Sequence, residues 1–287
     1  MRYVIGLVFF VFVSSCSFAN VFFKVEHQTQ PTAYLFGTMH MICNADVRVP
    51  NSVIDAFADS EQLVVEIDLT DHEQQRFLQQ NVAQHPANYL EKHLSNEQQQ
   101  RLKTIIEDQL GYRYQQIKSL RPIFINALFL QHFLNCQQDP LLLDELLIQQ
   151  AQVTKKPIVG LETVAMQLAL FDRIPLQEQV QALYDMAVEP SQSREDLQQL
   201  QAIYLEDNSE KLFQVMRSQD DFDTFEQPFL SQRNKNWMMD LPELIAAKST
   251  FIAVGAGHLS GTDGLLSLLR QQGYDITPIP LEFIPQQ

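Results

Sequence analysis

The segment Phe251–Gly261, FIAVGAGHLSG, constrains the fold more than any other stretch of this chain. Phe251 to Gly255 is an apolar run of strand length that stops on a glycine, and the following TDGLLSLLRQQGY has helical spacing. A strand that ends on glycine can turn tightly and lets other groups approach its backbone closely. The next side chain able to do chemistry, His258, is thereby predicted at the rim of a sheet. The pattern recurs near the other end of the chain: in YLFGTMH, Tyr34–His40, an aromatic-aliphatic run again leads to Gly, two residues and His. Of the seven histidines, only His40 and His258 have this setting.

Other apolar runs supply the frame. Val21–Val25 and Ala33–Phe36 are β-rich around a polar turn with Pro31, which predicts a hairpin or two adjacent strands. LVVEID (Leu63–Asp68) and KPIVGLE (Lys156–Glu162) read as buried strands, and Asp275–Ile279 as a last one. Pro50 and Ser52 open a helix to about Ser60, and Thr163 is placed to cap another. From Asp71 to about Gln152, and again from about Pro175 to Leu244, apolar residues at three- and four-residue spacing predict helices, with Asn135–Asp139 as a loop. Strands separated by helices imply an α/β fold with a central, largely parallel sheet covered by helices. The two helical blocks, about 71–152 and 175–244, read as cap insertions.

At 287 residues and 45% hydrophobic, the chain suits a single elaborated domain. Its net charge of −15 argues against nucleic-acid binding, whose proteins carry basic patches. Arg2 is followed by the uncharged YVIGLVFFVFV and then SSCSFAN, the parts of a secretory signal. Cleavage after Ala19 would leave residues 20–287. Val13–Cys16 also resembles a lipobox, which would make Cys16 a lipid anchor, and Tyr3–Phe23 is near the ~20 residues that cross a bilayer. Export to the periplasm is the expectation, with membrane contact only through this segment or a lipid. Cys43 and Cys136 are then an even pair in an oxidising compartment. A disulfide, a free thiol, and a role for Cys43 in a metal site beside His40 all stay open.

Four polar groups sit at or just beyond strand ends: His40, Glu66, Glu162 and His258. Ligands of parallel sheets bind outside the carboxyl ends of the strands, so these four can converge. A buried carboxylate such as Glu66 needs a partner: a metal, an arginine or hydrogen-bond donors. Two imidazoles with one or two carboxylates suit Zn, Mn, Fe or Co rather than Ca or Mg. Each group also has a plainer account. A histidine after a strand can be a bonded loop residue, Glu162 can complement a helix dipole, and Asp68 shares a strand face with Glu66 and could replace it. Arg233, beside Asn234, could pair with Glu66 or hold a substrate carboxylate, while Trp237 reads as core. There is no Gly-x-Ser-x-Gly, His-Glu-x-x-His, Cys-x-x-Cys or P-loop.

With YLFGTMH (34–40), VVEID (64–68), LLLDELLIQQAQVTKKPIVGLET (141–163), RNKNW (233–237) and FIAVGAGHLSGTDGLLSLLRQQGY (251–274) in this order, the chain resembles the TraB/PrgY/GumN family, in particular its GumN-like branch. The resemblance implies a fold like that of erythromycin esterase and the ChaN-like haem-binding proteins. It also implies kinship with the TIKI proteins, metal-dependent proteases acting on Wnt. By that resemblance Gly37/His40 and Gly255/His258 carry the active centre with Glu66, Glu162 and Arg233 are its polar neighbours, and Mn or Co is favoured over Zn. The expectation is an exported metal-dependent hydrolase acting on a peptide or small-molecule substrate. His40, His258 and Glu66 would hold the metal, Glu66 or Glu162 would activate water, and Arg233 and Asn234 would bind substrate. The alternatives are a non-catalytic haem or peptide binder and a metal-independent esterase using His40 and Glu66.

Overall fold

The described residues form eight strands: β1 (Phe22–Glu26), β2 (Ala33–Thr38), β3 (Ile42–Cys43), β4 (Gln62–Ile67), β5 (Pro140–Leu141), β6 (Ile158–Glu162), β7 (Thr250–Gly255) and β8 (Asp275–Pro278). The computed structural model describes residues 20–43, 48–84, 86–136, 139–218 and 226–283, so the signal-like segment with Cys16 lies outside the described residues. Six strands make one mixed sheet in the order β6-β4-β7-β2-β1-β8. β6, β4, β7 and β2 run parallel, and β1 is antiparallel to both of its neighbours. Helices surround this sheet. None of the described helices is long and apolar enough to cross a membrane.

Every residue of β7 is buried, as its unbroken apolar run requires of a central parallel strand. Phe251 packs against the rings of Phe22, Phe36 and Phe57 in the main core. Thr38 pairs with Gly255 and Ile67 with Glu162, so adjacent parallel strands finish level with one another. That register gathers the residues following each strand along one edge.

The helical blocks share a second apolar core. Tyr89, Leu102, Ile106, Phe129 and Phe133 from the first block meet Val180 and Leu183 from the second. Burying a ring such as that of Phe129, fully enclosed here, stabilises by about 1.5–3 kcal/mol. The helix Pro122–Leu134 ends on Asn135 in the left-handed region (φ 50°). Thr163 caps the helix Val164–Phe171, its side chain accepting from Met166 N at 3.2 Å.

The two-residue strands β3 and β5 pair beside the loop near Asn135, too short for any sequence periodicity to announce. Cys43 and Cys136 form a disulfide there with a Cα–Cα distance of 5.2 Å, so Cys43 is no thiolate beside His40. The bond ties the segment after His40 to the end of helix Pro122–Leu134. Because it closes a separation of 93 residues, the double variant Cys43→Ser/Cys136→Ser should lose about 2–5 kcal/mol of unfolding free energy in a denaturant titration. An unchanged midpoint would contradict this.

Candidate active site

The level strand ends place His40 two residues after β2, Glu66 near the end of β4, Glu162 at the end of β6, and Gly255 at the end of β7. One 3-10 turn, Ala256–His258, brings His258 back toward the edge. The two glycines of the repeated motif have different tasks. A Cβ on Gly37 would stand 2.5 Å from Leu259 Cδ1 and 3.0 Å from Ala256 Cα, so this glycine admits the turn after β7. A Cβ on Gly255 would stand 3.3 Å from Glu66 Oε1, 3.5 Å from His40 Nε2 and 3.7 Å from His258 Cδ2. Two imidazoles and a carboxylate thus face one bare α-carbon. The Gly255 N–H donates to Glu66 Oε1 at 2.9 Å.

Hydrogen bonding fixes the state of His258. Asn234 Nδ2 donates to the carbonyls of His258 (3.2 Å) and Asp263 (2.9 Å), which turns Oδ1 toward His258 Nδ1 at 2.7 Å. Nδ1 therefore carries the proton and Nε2 the lone pair. Arg233 Nη1 donates to that lone pair at 3.0 Å. Burial pushes the His258 pKa down to about 3 despite the opposing pull of Glu66, so the ring is neutral. Trp237, 1% exposed, lies against it with ring centres 4.3 Å apart.

Arg233 is the hub. Its Nε reaches both Glu162 oxygens (3.0 and 3.1 Å), Nη2 reaches Glu66 Oε2 (2.5 Å), and Nη1 also reaches the Phe229 carbonyl (3.0 Å). Only the planar guanidinium fork can serve so many acceptors at once. Burial opposes ionisation of Glu66, yet His258, Arg233, His40 and the Gly255 N–H hold its carboxyl down at about 2. Gln167 Nε2 donates to Glu66 Oε2 (3.0 Å) and Glu162 Oε2 (3.3 Å).

His40 stands apart in being open, its side chain 70% exposed. Its Nδ1 bonds Asp144 Oδ2 at 3.0 Å, and Asp144 Oδ1 accepts from Thr38 Oγ1 at 2.5 Å. The Asp144 hydrogen bond raises the His40 pKa to about 9. Two cavities share this ring as a wall. One, of about 510 Å³, is lined by Glu66, Asp144 and the amides of Gln75, Gln149, Gln152 and Gln167. The other, of about 350 Å³, opens beside Arg233, Gly255 and His258.

His40, Glu66, Glu162, His258, Arg233 and Asn234 are therefore all neighbours. Asn234 is 2% exposed, and its amide is engaged on His258 and the Asp263 carbonyl. Asp68 turns away, its Oδ1 accepting from Thr70 N and Oγ1. Asp144 and Gln167 escaped the sequence reading. Asp144 has a faint signal, an acid inside the apolar run LLLDELL, but an acid in a first helical turn also reads as a dipole partner. Gln167 is one amide among many on Gln-rich helices.

Among the described residues, no three His, Cys, Asp or Glu side chains stand at ligand spacing around one point. The donor chemistry nevertheless fits a divalent transition metal. Both imidazoles have Nδ1 held by a partner, Asp144 or Asn234, as metal-binding histidines do. Nε2 of His40 and Oε1 of Glu66 face the same α-carbon. Arg233 Nη1 uses the His258 Nε2 lone pair, so a cation bound to that nitrogen has to replace the N–H.

No curated protein and no solved structure matches this chain. The model of the TraB/PrgY/gumN family matches residues 21–278, a span holding the whole six-stranded sheet and every residue of the site just described. The chain belongs to the TraB/PrgY/gumN family.

Proposed function

We propose that this chain is an exported, metal-dependent hydrolase that cleaves peptide bonds. The observation that carries the proposal is the convergence of His40 Nε2, Glu66 Oε1 and the edge of His258 on the bare α-carbon of Gly255. His40, His258 and Glu66 would hold the ion, with Mn or Co favoured by the family resemblance and Zn suited to the same donors. When bound, such an ion supplies a Lewis acid that polarises the scissile carbonyl and acidifies water. Asp144 and Asn234 keep the two imidazoles oriented. Glu66 is the carboxylate that faces the cradle and would supply the anionic ligand. Glu162, its side chain 2% exposed, lies behind Arg233 and fixes the guanidinium. Arg233 steadies the negative charge that builds on the carbonyl oxygen. The disulfide supports export, because such bonds persist in oxidising compartments.

One observation favours a second reading. His40 is exposed with its Nδ1 on Asp144, the arrangement of a base held by its orienting acid and free above its pKa of about 9, while Arg233 occupies His258. That pair could serve a metal-independent esterase. Chelator-stripped protein, reloaded with Mn, Co or Zn and given a peptide mixture read by mass spectrometry, separates the two. Cleavage should return only with metal, and His258→Ala should lower kcat/KM by at least about 100-fold. Ester hydrolysis that survives chelation, with no peptide cut under any metal, would favour the second reading and overturn the first.

A further inference from the structure

The smaller cavity beside His40 has a lining that hydrolysis alone does not require. Its inner wall is the centre itself: His40, Arg233, Gly255 and His258. Its outer wall is apolar, built from Met39, Leu200, Leu212, Met216, Phe229 and Leu230. The polar atoms along that wall are turned elsewhere. The Tyr204 hydroxyl donates to the Gly37 carbonyl at 3.0 Å, the Thr38 hydroxyl donates to Asp144, and the Phe229 carbonyl accepts from Arg233. Met216 lies across Gly257, where an added Cβ would meet its Cε at 3.0 Å, so this glycine keeps the floor low. The cavity on the other side of His40 also has apolar walls, from Val65, Ile67, Leu69, Leu142 and Ile148, but adds acids and four glutamines. The smaller cavity has no acid or amide side chain in its lining.

We propose that this cavity is the subsite for an apolar side chain next to the scissile bond, so that the substrate class is a peptide cut beside a residue the size of Leu, Met or Phe. The proposal rests on the peptidase reading above. Met39 and Met216 are flexible and polarisable, so the wall can fit several apolar shapes. A lysine side chain would lose its water there with no acid in the lining to meet it, and Gly would leave the space unfilled.

The test uses full-length mature protein and two readouts. The first is kcat/KM of the metal-loaded protein on peptides of one sequence, varied at the residues on each side of the cut. At one of these positions Leu, Met or Phe should exceed Gly or Lys by about 10-fold or more. Met216→Phe, which narrows the cavity, should lower the ratio of kcat/KM beside Phe to that beside Ala by about 10-fold. Met216→Ala should shift preference toward larger residues, which keeps the test alive if the first variant is unstable. The second readout is fluorescence of Trp237, the one tryptophan of the chain and packed on His258, during titration of metal-free protein with Gly-Leu, Gly-Phe and Gly-Lys. The apolar dipeptides should perturb it and Gly-Lys should not. Cleavage without apolar preference, or a preference unmoved by both variants, would overturn the subsite and leave the peptidase intact. Selective dipeptide binding with no cleavage of any peptide would keep the subsite and remove the peptidase. Neither cleavage nor selective binding would overturn both.

Discussion

Replacing Arg233 with Met should lower the unfolding free energy by about 3–5 kcal/mol, the range for breaking a buried ion pair from one side. Arg233 is 9% exposed and carries the bonds to Glu66, Glu162 and His258. Without it two buried carboxylates are left side by side with no permanent cation, and Gln167 offers only an amide. A surface pair such as Lys211–Glu206, with both side chains about half exposed, contributes at most about 1 kcal/mol by comparison. Arg233→Lys should rescue little, because an ammonium cannot reach both carboxylates and the imidazole together. Adding Glu162→Gln to Arg233→Met should recover part of the loss. The pH dependence has a definite sign. The folded Glu66 pKa of about 2 lies below its ordinary 4.5, so its stabilisation is present above the ordinary value and is lost as pH falls through the folded one. The Arg233 variant should show a flatter acid limb. A loss below about 1 kcal/mol in chemical denaturation would contradict the hub role.

The second large effect is expected at Gly255, on binding rather than stability. Its backbone (φ −52°, ψ 135°) is one that alanine adopts freely. Gly→Ala at such a site gains about 0.4–1 kcal/mol through the unfolded chain, here offset by crowding against Glu66 Oε1 at 3.3 Å. Gly255→Ala should therefore stay folded, within about 1 kcal/mol of wild type. Its methyl group, however, fills the space on which His40, Glu66 and His258 converge, so metal affinity should fall by at least about 100-fold, the upper end for disturbing a ligand's support. Gly37→Ala should do the reverse. Its Cβ would lie 2.5 Å from Leu259 Cδ1, and such overpacking costs about 1–3 kcal/mol. Paired melting curves and metal titrations distinguish the two glycines. A Gly255→Ala protein that binds metal like wild type would refute the cradle.

The edge of the sheet was legible because central parallel strands read as unbroken apolar runs, and a glycine or acid at the end of such a run marks where it emerges. Glu66, Glu162 and the two Gly-x-x-His units could be placed on that basis alone. The partners of these groups could not. Asp144 and Gln167 come from helices whose spacing says which face is buried but not which strand end they meet. The helix dipole offered Asp144 a sufficient local role, which hid its bond to His40. β3 and β5 are two residues each, below any periodicity, and the disulfide beside them depends on where the loop after His40 returns. Arg233 and Asn234 are adjacent in sequence but differ in task. The guanidinium joins the carboxylates, and the amide sets the His258 tautomer by bonding two carbonyls no sequence pattern links. The two motif glycines look identical in sequence and differ only in what stands over them.

Metal content per chain decides the central claim. Protein loaded with Mn or Co and freed of excess should retain one ion per chain, while His40→Ala and Gly255→Ala, both folded by their melting curves, should retain none. Equal metal in all three proteins would show that the two imidazoles and Glu66 are not its ligands.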